Sequence, residues 1–277
     1  MGLRINTNVA SLSAQRALGI TKNNLDGNLR KLSSGERITR AGDDAAGLAI
    51  SEKLKANIRG LRQAKRNSDD GISLIQTAEG AINEISNIII RLRELSIQAA
   101  SDTVGDTERG FSNIEFSNLL EEIQRISEGT EFNGRKLLDG TGGLVEIQVG
   151  IKNDPLNDRI KYDSSTTDTT LATIGLLGEQ ISTKEGAQLS LQKLDDALVR
   201  INGTRANLGA LQNRLQSAGN SIAIMDENLS AANSRIRDVD VAAETADMAK
   251  NNILAQAGVS VLSQANQTPN FALKLLA

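Results

Sequence analysis

The sequence predicts a mainly α protein, a coiled-coil bundle of long helices with a small β-hairpin region in the middle of the chain. Three observations carry this. Leu208, Leu211, Leu215, Ala218, Ile222, Met225, Leu229, Ala232, Ile236, Val239, Ala243 and Ala246 recur at alternating steps of three and four, the spacing of a coiled-coil seam. A second seam, Leu74, Ala78, Ala81, Ile85, Ile88, Leu92, Leu95 and Ala99, stands ready as its partner. Finally, only 2% of the 277 residues are aromatic, with no Trp and one Tyr. The core is therefore Leu, Ile, Val and Ala, which suits helix-on-helix packing better than a sheet sandwich.

Residues 1–40 read as an N-terminal helix and linker. Ile5, Val9, Leu12, Leu18, Leu25, Leu29 and Leu32 trace a seam interrupted by Gly19 and Gly27, a helix that would be marginal alone. The stretch from Lys31 to Arg40 reads as a break, because Ser33, Ser34 and Gly35 favour turns. Asp43 or Asp44 can cap the helix that follows.

Residues 41–130 form the N-terminal helical part of a rod. Ile75, Ile82 and Ile89 flank the Leu74–Ala99 seam. The apolar face is then wider than two strands require, and implies at least three helices. After a polar turn at Ser101–Asp106, Phe116, Leu119, Leu120, Ile123 and Ile126 mark a shorter antiparallel helix ending near Gly129. Residues 131–182 change texture. Asn133-Gly134, Asp139-Gly140 and the alternation Val145, Ile147, Val149, Ile151 predict strands and turns.

Residues 183–250 are expected to be one long helix, opened by a Ser182/Glu185 capping box and joined to the seam through Leu191, Leu194, Leu198 and Ile201. From about 187 to 250 it would be near ~95 Å long, a rod that needs a partner. Gly203, Gly209 and Gly219 each cost it about 1 kcal/mol, against roughly 1.5–3 kcal/mol returned by each buried Leu or Ile. Residues 251–277 continue amphipathically through Ile253, Leu254, Val259, Val261 and Leu262. Pro269 is expected to interrupt the helix before Phe271, Leu273, Leu275 and Leu276. Both ends are apolar with no evident intrachain cover, the mark of a partner chain.

Composition excludes several functions. Net charge is −3, with no global basic field for nucleic acid or anionic membrane. The chain has no His and no Cys, which removes imidazole bases, thiol nucleophiles, disulfides and the usual zinc ligands. Asp240, Glu244 and Asp247 share a helix face but read as a solvated charge cluster, not a metal or acid–base site. Gly42–Gly47 and Gly140–Gly143 lack the Lys-Ser/Thr of a P-loop and the spacing of a dinucleotide fingerprint. The basic set Lys53, Lys55, Arg59, Arg62, Lys65 and Arg66 lacks aromatic interleaving. No cofactor is expected, nor is membrane insertion or a Sec signal.

Several motifs then stand in order: MGLRINTNVASL (1–12), KLSSGERI (31–38), AGDDAAGLAIS (41–51), DGISLIQTAEG (70–80), RLRELSIQ (91–98), FNG (132–134), SRIRDVDVAAET (234–245) and SQANQ (263–267). Over nearly its whole length the chain resembles bacterial flagellin, in a short form whose middle lacks large outer domains. The resemblance implies a non-enzymatic, secreted, extracellular subunit that polymerises with itself into the flagellar filament for swimming motility. Its two termini would pair in an inner tube and fold on assembly. Intrachain packing would fall to Leu74, Ile85, Ile88, Leu92, Leu208, Leu211, Leu215, Ile222, Leu229 and Ile236. Polymerisation would fall to Ile5, Val9, Leu12, Leu262, Phe271, Leu273, Leu275 and Leu276. The resemblance also implies a flagellar export chaperone, a filament cap and a hook-filament junction protein as partners. Arg91, Leu95 and Glu115 match positions contacted by an animal Toll-like innate receptor; as plain helix residues, they read as two surface charges and a core leucine. Alternative functions are a hook-filament junction protein, or a coiled-coil adaptor or scaffold.

Overall fold

The computed structural model describes residues 7–276, with side chains to residue 267. In chain order the elements are α1 (Val9–Ser34), α2 (Ala45–Ala99), α3 (Asp106–Gly129), β1 (Glu131–Phe132), β2 (Arg135–Lys136), β3 (Leu144–Gln148), β4 (Arg159–Asp163), a 3-10 turn (Ser164–Thr167), α4 (Leu171–Ile174), α5 (Lys184–Arg237) and α6 (Val241–Leu276). The chain divides into two compact units. One is residues 57–227, here the rod unit, and the other combines residues 1–56 with 228–277, here the terminal unit.

In the rod unit, α2, α3 and α5 contribute one apolar core. Leu74, Ile85, Leu92, Phe116, Ile123, Leu194, Ile201, Leu208 and Leu215 are all buried. Ile75, Ile82 and Ile89, read as a flank, are fully buried, whereas Ile88 is only half-buried. The stripe is therefore centred between seam and flank, as a helix covered by two neighbours requires.

Arg109, 7% exposed, closes the α2–α3 turn. Its guanidinium donates to the carbonyls of Ala99 (2.8 Å) and Ser101 (2.9 Å) and to Asp106 (2.7 Å). These acceptors include carbonyls that the end of α2 leaves without helical partners. Helix α5 begins one residue later than the proposed capping box. Thr183 Oγ1 accepts from Gly186 N at 3.1 Å, and with Gly at the third helical position no reciprocal Glu bond forms.

The hairpins are β1–β2, turning at Asn133-Gly134 with both residues at positive φ (51° and 76°), and β3–β4, paired Leu144↔Asp163 through Gln148↔Arg159. An Asn-Gly pair at these angles is the type I′ solution. Val149 and Ile151 fall beyond the strand, where the Val149 N–H turns to the Asp158 carbonyl (2.8 Å). The second hairpin sits on α2 at Gly71, where a Cβ would come within 2.7 Å of Ile147 Cδ1. Asn67 Nδ2 donates to the Gln148 carbonyl beside it (3.0 Å).

The terminal unit pairs α1 with α6 antiparallel. Gly35, at φ 71°, ends α1 with its N–H on the Lys31 carbonyl (2.9 Å). Asp44 caps α2 by accepting from Gly47 N (2.8 Å), while Asp43 accepts from Thr39 N and Arg40 N. The single helix expected from about 187 to 250 is broken at residues 238–240. There Arg37 N donates to the Arg237 carbonyl (2.6 Å), Val239 N donates to the Gly35 carbonyl (3.0 Å), and Glu36 bridges Asp238. Asp240 then caps α6, accepting from Ala242 N and Ala243 N. The break persists because its freed backbone groups pair with the α1–α2 linker instead of with water.

Pro269 does not interrupt α6, which runs helical to Leu276. Proline gives no N–H to the carbonyl four residues back. That carbonyl, of Ala265, accepts instead from Asn8 Nδ2 at 2.8 Å.

Candidate functional site

The α1–α6 pair mixes small and polar residues with leucines along its seam and leaves other large apolar residues outside. Along α1 the inward line is Ser11, Ala14, Leu18, Thr21, Leu25, Asn28 and Leu32, and along α6 it is Glu244, Met248, Asn251, Ala255, Gly258, Leu262 and Ala265. Both step by three and four, as an antiparallel seam should. Within α1 the buried residues are Ser11 and Asn28. Gly258 lets the helices approach closely, since a Cβ there would lie 3.2 Å from Leu18 Cδ1.

The outward face carries Val9 (65% exposed), Leu12 (54%), Ile20 and Leu29 on α1, with Ile253 (66%), Leu254, Val259 and Val261 on α6. Val9 and Leu12, assigned by the resemblance to polymerisation, and Leu29, one of the apolar run along α1, are all exposed. At roughly 1.5–3 kcal/mol per fully buried side chain, covering these half-exposed residues would return on the order of 10 kcal/mol gross. So much apolar surface on one helix pair marks an interaction site.

Polar contacts hold the pair in place. Ser11 Oγ donates to Asn266 Oδ1 (2.8 Å), and Lys31 pairs with Glu244 at 3.4 Å. With its amide oriented to satisfy both ends, Asn28 donates to Glu244 Oε1 (3.1 Å) and accepts from Asn251 Nδ2 (3.2 Å). Arg237 pairs with Glu36 and Glu52, and those two carboxylates hold its guanidinium above the ordinary pKa. Arg37 Nη2 caps α5 by donating to the Ile236 carbonyl (2.7 Å). These contacts absorb Asp240 and Glu244 of the acidic cluster, and among the described residues no group of three His, Cys, Asp or Glu could hold a metal.

The other predicted site residues are distributed as follows. Leu74, Ile85, Leu92, Leu208, Leu215 and Ile222 are buried in the rod unit, and Ile88 and Leu211 are half-buried. Leu229 and Ile236, in the terminal unit, are also half-buried. Leu262 lies half-buried on the α1–α6 seam, not on the outward face. Ile5 and the side chains of Phe271, Leu273, Leu275 and Leu276 lie outside the described residues. Arg91 and Glu115 are half-exposed and paired at 2.9 Å, and Leu95, 3% exposed, belongs to the core beneath them. Sequence reasoning missed Asn8, Arg37 and Arg237, whose partners are distant in sequence, and Arg109, whose partners are carbonyls at and after the end of the preceding helix and the nearby Asp106.

Residues 5–142 match the family model of the bacterial flagellin N-terminal helical region, and residues 191–276 that of its C-terminal helical region. The chain is 47% identical to a flagellin of Halalkalibacterium halodurans over 98% of its own length and 99% of the relative's. It is 43% identical, over 98% and 99%, to the flagellar filament 30.7 kDa core protein of Treponema maltophilum. Among solved structures, Bacillus cereus flagellin superposes with a TM-score of 0.51 at 34% identity, covering 61% of this chain and 94% of that one. No helix among the described residues is long and apolar enough to cross a membrane. With both family regions matched, and with relatives alike over nearly their whole length, the chain belongs to the bacterial flagellins, structural proteins of which it is one more filament subunit.

Proposed function

We propose that this chain elongates the filament by burying the outward apolar face of its α1–α6 pair against other copies, and that the resulting filament is extracellular and serves as a passive propeller. The observation that carries this is the set of large apolar residues the pair leaves exposed, Val9 and Leu12 on α1 and Ile253 and Val259 on α6 among them. A patch on one copy that meets a different patch on the next grows open-endedly when the rotation from copy to copy does not close a ring, and an open helical filament is the form the family reading supports. Membership of the family supports, as part of this proposal, export through the flagellar channel with a chaperone, a filament cap and a hook-filament junction protein as partners. Recognition by an animal Toll-like receptor would rest on the exposed Arg91–Glu115 pair; a receptor-reporter assay in which purified monomer gives no response would sink it.

Electron microscopy of purified chain added to short filament seeds tests polymerisation. Long uniform filaments are expected. Finite particles from a chain shown folded by circular dichroism would favour a junction protein or a scaffold.

A further inference from the structure

The polar contacts at the open end of the α1–α6 pair do more than fasten it. Asn8 uses both ends of its amide. Its Oδ1 accepts from Ser11 N at 3.1 Å, capping α1, and its Nδ2 donates to the Ala265 carbonyl at 2.8 Å. Ala265 is 9% exposed, and a carbonyl buried there without a donor would be strongly unfavourable. It needs an outside donor because residue 269 is proline, and the chain's other proline is Pro155, outside α6. Elsewhere along α6 a residue four positions on supplies an N–H, so Ala265 is the one carbonyl in the helix interior that the sequence itself orphans.

We propose that Asn8 and Pro269 together form a register lock: the proline creates one acceptor on α6, and the asparagine is the donor on α1 placed to find it. The seam specifies register weakly, since its larger side chains on α1, Leu18, Leu25 and Leu32, stand one heptad apart and pack almost equally well one heptad along. If α1 slipped by seven residues, Asn8 would face residue 258 or 272, whose carbonyls already have donors at 262 and 276. The Ala265 carbonyl would then be left bare. Ser11 Oγ on Asn266 Oδ1 (2.8 Å) reinforces the same alignment one residue along. Asn8 is thus a positioning residue for the terminal pair. Its consequence for assembly rests on the filament reading, because a slipped pair would present a displaced outward face.

The test separates the donor from the cap. Asn8→Asp keeps an oxygen for Ser11 N and removes the N–H given to Ala265, while Pro269→Ala restores the intrahelical N–H. The chain has no cysteine, so a Leu18→Cys/Gly258→Cys pair can report register. A Cβ on Gly258 lies 3.9 Å from Leu18 Cβ, inside the disulfide range. Intramolecular disulfide formation is measured by mobility on non-reducing gels, in seeded filaments and in monomer. Asn8→Asp should slow it about tenfold in the Pro269 chain and less than twofold in the Pro269→Ala chain. Equal slowing in both backgrounds, or none in either, overturns the lock. If wild-type chain fails to extend seeds, the filament reading falls, and the disulfide rates in monomer still decide the register lock.

Discussion

Replacing Gly71 by Ala should show that the β3–β4 hairpin is seated on α2 by a close approach that glycine alone permits. A helical glycine changed to alanine ordinarily gains about 1 kcal/mol. At Gly80, where a new Cβ meets nothing within 4 Å, Gly80→Ala should show that gain. At Gly71 the Cβ would stand 2.7 Å from Ile147 Cδ1, 3.3 Å from Ile147 Cγ2 and 3.2 Å from Leu215 Cδ1. Ile147 and Leu215 are both buried, so neither side chain can swing clear, and overpacking of this kind costs about 1–3 kcal/mol. The net effect of Gly71→Ala is then a loss of about 0–2 kcal/mol, and the two alanine variants differ by about 1–3 kcal/mol. Tyr162 is the sole tyrosine in a chain without tryptophan, and it is 1% exposed on β4 of the same hairpin. Its fluorescence during urea unfolding therefore reports the rod unit selectively. Gly71→Ala should lower the midpoint relative to Gly80→Ala, and Ile147→Val, which deletes Cδ1, should narrow the gap. If Gly71→Ala stabilised the chain as much as Gly80→Ala, the close seating of the hairpin would be wrong.

Two further outcomes follow from buried polar groups of the rod unit. Arg109→Ala should destabilise it by about 2–4 kcal/mol in the same urea experiment, because two carbonyls lose a charged donor; Arg109→Lys should recover little, lacking the fork that reaches both. Burial raises the Tyr162 hydroxyl pKa above its ordinary value of 10.0, against the bond with Thr167. Its contribution to stability is therefore full below about pH 10 and is lost as pH rises through the higher folded value. Followed by circular dichroism, because the variant has no tyrosine, Tyr162→Phe should flatten that alkaline decline relative to wild type, at a neutral-pH loss of only about 1 kcal/mol, since the Leu137 carbonyl that loses the Tyr162 hydroxyl (2.7 Å) keeps Thr167 Oγ1 as a donor.

The helices of the rod were legible because a three-and-four apolar step repeated over many turns has few other interpretations. The same regularity hid the break at 238–240. Ile236, Val239 and Ala243 keep the coiled-coil spacing straight through it, and what ends α5 is pairing with Gly35 and Arg37, some two hundred residues away in sequence. Asp240 is a local sign of a new helix start, masked in the sequence by its place on one face with Glu244 and Asp247. Arg109 gave no signal, since an arginine in an amphipathic helix looks the same whether it meets water or the carbonyls of the preceding helix. Pro269 was visible as a defect, and its compensation was not, because the donor is Asn8 at the other end of the chain.

The terminal helices show which apolar residues a sequence pattern alone does not sort. Leu29 belongs to the same apolar run as Leu18, Leu25 and Leu32, yet it is exposed while those three are half-buried. The line actually used, from Ser11 to Leu32, mixes Ser, Ala, Thr and Asn with its leucines. A pair built so returns little hydrophobic energy on its own, and its buried amide and hydroxyl contacts specify alignment more than they stabilise. Most of the energy resides on the outward face and is released only when another copy covers it. Folding of the terminal pair and addition to a filament are then linked by mass action. The pair should become firmly ordered at subunit concentrations where elongation proceeds, and a charge on the outward face, as in Leu12→Glu, should raise the critical concentration for elongation while leaving the rod unit's tyrosine signal unchanged. A parallel loss of both would place Leu12 in the fold and not in the assembly surface.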